Sequence, residues 1–97
     1  MRRYMFLMHN DAGSPEDANA WGPYLARLRE SSRFEGGSSL GNGTASRKFG
    51  DAAPCADHLI GYLVLQAPDA YSARTFLVGN PVFEAGGTVE IRELVVD

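Results

Sequence analysis

The sequence predicts a small α+β domain in which one antiparallel sheet of four strands carries two helices on a single face. Three observations predict it. Tyr4–Met8 and the stretch from His58 to Gln66 are apolar at odd and even positions alike, the pattern of strands buried on both sides. Ser14-Pro15-Glu16-Asp17 and Pro68-Asp69 read as helix starts, each following one of those runs. The chain has 97 residues, enough for one domain and too few for two, so residues 1–97 form a single unit.

The elements follow in order. The first strand, Tyr4–Met8, is bounded by Arg2-Arg3 before it and by His9-Asn10-Asp11-Ala12-Gly13 after it. In the first helix Ser14 serves as N-cap and Pro15 as first residue, with acids in the first turn. Trp21, Leu25 and Leu28 recur at helical spacing, Tyr24 lies beside them, and Gly36-Gly37 stops the helix near Phe34. An irregular second strand covers about Ser39–Phe49, followed by a loop through Gly50–Pro54. The third strand is His58–Gln66. A second helix runs from Ala70 to Val78, Pro81–Ala85 forms a short helical turn, and Thr88–Val95 is the last strand. The resulting order, β-α-β-β-α-β, is that of a ferredoxin-like sheet.

Composition narrows the function. Net charge is −3 and the only basic pairs, Arg2-Arg3 and Arg47-Lys48, are isolated, which argues against a nucleic-acid partner. The opening apolar stretch is too short for a signal peptide, and no run approaches the roughly 20 apolar residues of a membrane span. No membrane partner is expected, and the cytoplasm is the expected location. The single cysteine, Cys55, leaves no internal disulfide and no zinc-type pairing; beside Asp51 and Asp57 it reads as a silent thiol.

Topology sets further expectations. The first and third strands are expected as parallel neighbours in the middle of the sheet, with the last strand antiparallel to the first. Two helices cover one face only, so the apolar second face calls for a cover. Another copy of the chain is the simplest one, which makes a homodimer the expected assembly.

Gly61-Tyr62-Leu63-Val64 and the segment Gly79–Leu94, reading GNPVFEAGGTVEIREL, resemble the YCII-related family. The Tyr4–Met8 strand, Trp21 and the Gly36-Gly37 turn are similar too. The resemblance implies a dimeric α/β barrel whose two sheets enclose a cavity. Two departures stand beside it. Where many members carry Asp-Gly-Pro-Phe, this chain has Asp51-Ala52-Ala53-Pro54-Cys55, and where others carry a helix histidine it has Tyr24.

The candidate site residues come from the strand ends. An antiparallel last strand brings Thr88 and Glu90 beside His9 and Asp11. His9 with Asp11 is read either as an acid–base pair or as a strand end bonded to a loop. Glu90 and Arg92 share a face by alternation, and are either a cross-strand ion pair or ligand-binding groups inside a cavity. Arg47 and His58 complete the candidate ligand-binding set. With the first and third strands parallel, His9 and His58 would lie roughly 20 Å apart at about 3.3 Å per residue, so no shared metal is expected. No cofactor is expected either. Two functions remain open: a small-molecule enzyme or binder taking a compact organic ligand in the dimer cavity, or a non-enzymatic accessory protein of the kind associated with sigma factors.

Overall fold

The computed structural model describes all residues, Met1–Asp97. Four strands, β1 (Arg2–His9), β2 (Phe34–Ser39), β3 (Leu59–Ala67) and β4 (Val89–Leu94), form one sheet in the order β2-β3-β1-β4. The helices are α1 (Trp21–Glu30), α2 (Ala70–Arg74) and α3 (Pro81–Glu84), with 3-10 turns at Ala18–Ala20 and Thr75–Leu77. This is the expected α+β, ferredoxin-like arrangement, and all neighbouring strands are antiparallel.

That last fact corrects the expectation for the two central strands. β1 and β3 are antiparallel, with Tyr4 opposite Leu65 and Phe6 opposite Leu63. The crossover through α1 returns β2 parallel to β1 with a gap between them. β3 enters the gap after the irregular segment that follows β2 reverses the chain, so it opposes both neighbours.

Strand alternation divides the residues between two faces. Tyr4, Phe6 and Met8 of β1 are buried under the helices with Leu63, Leu65 and Ala67 of β3, against Tyr24, Leu28, Ala73, Leu77 and Val82. Met5, Leu7 and His9 point to the other face, where no helix lies, and are half-buried. In β3 one extra residue, Ile60, sits between Gly61, opposite Met8, and Leu59, opposite His9, which makes a β-bulge.

Other local differences have local causes. Ser14 does not cap α1: its N–H and its hydroxyl both donate to the carbonyl of Ala85, each at 3.2 Å. Asp17 caps the 3-10 turn that leads into α1, accepting from the Asn19 N–H at 3.0 Å, and α1 itself has Ala20 at its N-cap position with no side-chain cap. α1 ends at Glu30, and the chain turns at Ser32, which takes φ 60°, rather than at the glycine pair. Freed from the helix, Phe34–Ser39 becomes β2, while Leu40–His58 forms neither helix nor strand and lies largely exposed. Gly36 within β2 takes φ 128°, beside a second register shift at Glu35. The second helix narrows to a 3-10 turn after Arg74. No helix is long and apolar enough to cross a membrane.

Candidate active site

β1 ends where β3 begins and where β4 begins, so one end of the open face collects residues from three strands. His9 is the last residue of β1, and its N–H donates to the Thr88 carbonyl at 2.9 Å. Glu90 is two residues beyond Thr88, hence on the same face and diagonal to His9. The His9 Nε2 and Glu90 Oε1 atoms stand 2.6 Å apart, with the His9 side chain 17% exposed. A carboxylate only accepts, so Nε2 carries the hydrogen of this bond and Nδ1 is left as the ring's second, exchangeable position.

The antiparallel β1–β3 pairing overturns the expected separation of the two histidines. Asn10 donates to the His58 carbonyl at 2.9 Å, and the two imidazole rings meet edge to face with centroids 4.9 Å apart. The geometric argument against a shared ion therefore falls. Even so, no group of three histidine, cysteine or acidic side chains is arranged to hold a metal ion.

Asp11 reaches Thr88 rather than His9. Its carboxylate accepts from the Thr88 N–H at 2.7 Å and from the Thr88 hydroxyl at 2.6 Å. These two bonds hold its carboxyl below the usual carboxylate range, and the charge of His9 is the smallest contributor. Asp11 thus clamps the start of β4, and Glu90 occupies the carboxylate position beside His9. Arg92 faces the same side as Glu90, with Nη1 3.8 Å from Glu90 Oε2, and its side chain is 69% exposed. Arg47 lies in the irregular Leu40–His58 segment, where its guanidinium donates to the Asp51 carbonyl at 3.5 Å, apart from these contacts.

A cavity lies elsewhere. About 500 Å³ opens between α1 and the β2–β3 side of the sheet, lined among others by Trp21, Leu25, Phe34, Ile60 and Gly61, and by none of His9, Asp11, His58, Glu90 or Arg92. The helical spacing of Trp21, Leu25 and Leu28 does not reveal this cavity. The available signal was the glycine content of the wall, Gly36-Gly37 and Gly61, which leaves space that side chains would otherwise fill.

Fold and cluster together define a ferredoxin-like α+β domain with a histidine–carboxylate pair at one end of its open face. No family model matches the chain, and no curated protein matches it. Among solved structures the chain is similar to 5-chloro-2-hydroxyhydroquinone dehydrochlorinase (TftG) from Burkholderia phenoliruptrix AC1100, in complex with 2,5-dihydroxybenzoquinone. The TM-score is 0.55 at 12% identity, over 98% of this chain and 95% of that one. At that identity the likeness concerns the fold.

Proposed function

We propose that the protein is a small-molecule enzyme in which His9 moves a proton on a compact organic substrate, at a site closed by a second copy of the chain. The observation that carries this reading is the 2.6 Å contact of His9 Nε2 with Glu90 Oε1, with His58 against the same ring. A carboxylate on one nitrogen fixes the ring's orientation and leaves the other nitrogen to take up or give a proton, which is what a general acid–base needs. Arg92, on the same face, supplies a positive charge for an acidic substituent. A fold neighbour that acts on a substituted hydroquinone supports a small cyclic substrate.

The homodimer is part of the proposal. Met5, Leu7, Tyr62 and Val64 make the open face apolar around the charged corner. Two such faces brought together would remove these side chains from water and shield the His9–Glu90 pair.

The test is a turnover and binding screen of the purified chain against hydroxylated and quinonoid aromatics, run beside His9→Ala and Glu90→Gln. The expected result is a hit whose turnover falls at least about a hundredfold in His9→Ala, the usual scale of general acid–base catalysis. A hit that both variants process at the wild-type rate would refute the role of His9. A screen without any hit would leave the accessory-protein reading in place of the enzyme.

A further inference from the structure

We propose that the cavity under α1 is a second binding site, and that it takes a compact aryl carboxylate. It lies on the helix-covered side of the sheet, and it stands independently of the His9 site.

α1 presents two adjacent stripes. Tyr24 and Leu28 are buried in the core, whereas Trp21, Leu25 and Arg29, spaced four apart, roof the cavity and are less buried. The floor is Met8, Gly61 and Leu63 of β1 and β3. A Cβ on Gly61 would stand 3.0 Å from Met8 Cε, so the glycine keeps that floor flat. The volume of about 500 Å³ falls within the size range of ligand clefts. The helix layer is too small to close it, since α2 and α3 have only 5 and 4 residues.

Charge decides the ligand class. Among the lining residues only Glu16 and Arg29 are charged. The Glu16 carboxylate accepts from the Trp21 indole N–H at 2.9 Å. The Arg29 guanidinium makes no ion pair, and its backbone lies two helical turns beyond Trp21, about 12 Å along the axis at 1.5 Å per residue. An unpaired guanidinium at one end of an aromatic slot suits a carboxylate, which it binds with two parallel N–H donors. Glu16 repels an anion at the opposite end, so the ligand has one orientation. Its ring lies beside Trp21 and its carboxylate sits on Arg29.

Trp21 is the only tryptophan, so its fluorescence reports this cavity directly. Titration of the full chain with phenylacetate should give a saturable change. Phenylacetamide has the same shape without the charge, and it should bind about tenfold more weakly through loss of a charge-assisted contact. Arg29→Gln should abolish that preference while leaving the melting curve unchanged, because Arg29 is exposed. His9→Ala should bind phenylacetate as the wild type does. No saturable change at millimolar phenylacetate would overturn the proposal. So would equal binding of acid and amide, a preference that persists in Arg29→Gln, or loss of binding in His9→Ala.

Discussion

The hydroxyl of Tyr24 donates to the backbone carbonyl of Phe76 at 2.7 Å, fastening α1 to the 3-10 turn that follows α2. Tyr24 is 2% exposed, and burial pushes its phenol up from the ordinary tyrosine value, which keeps it a donor. Tyr24→Phe leaves the carbonyl without this partner and should cost about 1–2 kcal/mol. Chemical denaturation checks it: the midpoint should fall with the slope unchanged.

Asn80 is a buried polar side chain whose oxygen and nitrogen are both occupied. Its Oδ1 accepts from the N–H groups of Val82 and Phe83 at 3.0 and 3.1 Å, capping α3, and its Nδ2 faces Met8 Sδ at 3.7 Å. Asn80→Ala should cost about 1–3 kcal/mol by stranding two donors at the start of the helix. Asn80→Asp should restore the cap and recover much of the loss, measured as the thermal midpoint at neutral pH.

Acid should unfold the protein through specific carboxylates. Thr88 holds the Asp11 carboxyl low, Arg3 holds that of Glu35, and the N–H and hydroxyl of Ser72 hold that of Asp69. Each folded carboxyl titrates below its unfolded counterpart. The stability these groups give is therefore complete above the ordinary range near 4 and is lost as pH falls through the folded values. Stability measured between neutral pH and about pH 3 should drop with increasing acid, and Asp11→Asn should flatten the slope. An unchanged slope in that variant would remove Asp11 from the account.

The open face gives the assembly prediction. Light scattering behind size exclusion should return twice the 10.5 kDa of the single chain at micromolar concentration. Leu7 lies at the centre of that face, opposite Tyr62 and Glu90, so Leu7→Lys should split the pair while circular dichroism stays unchanged. A wild-type mass of one chain would end the shared-site proposal.

Gly79 takes φ 85°, and a Cβ there would fall 2.0 Å from Arg27 Nη2, which donates to the Val78 carbonyl at 2.8 Å. Gly79→Ala should therefore destabilise by about 1 kcal/mol or more, through backbone strain and loss of that bond. A melting curve decides it.

The strands with continuous apolar patterns, Tyr4–Met8 and Leu59–Leu65, were legible because a run of apolar residues without polar alternation marks a central strand. β2 was not: Phe34-Glu35-Gly36-Gly37-Ser38-Ser39 carries one large apolar residue, and its glycines look like a helix stop. Its pairing comes from β3, not from its own propensity. The place of Glu90 beside His9 followed from alternation and one antiparallel pairing. The place of His58 depended on strand direction, which composition does not encode, and the error moved it to the wrong end of the sheet. Ser14 shows the same limit at a cap, since a favourable local partner lost to the Ala85 carbonyl from the far end of the chain.

The bulge at Ile60 works as a change of phase. Before it the chain counts faces one way, and after it the other, so Leu59 opposite His9 and Gly61 opposite Met8 each lie where their strand partner needs them. Ile60 itself lines the cavity under α1, while His58, two residues earlier, meets His9. Removing this one residue would leave Leu59 opposite His9 in a regular ladder, because the extra residue has no partner of its own. What would go is a piece of the cavity wall and the local bend that the bulge gives β3. The helix-covered side of the sheet can thus be reshaped at Ile60 while the pairing that holds the His9 end stays in register.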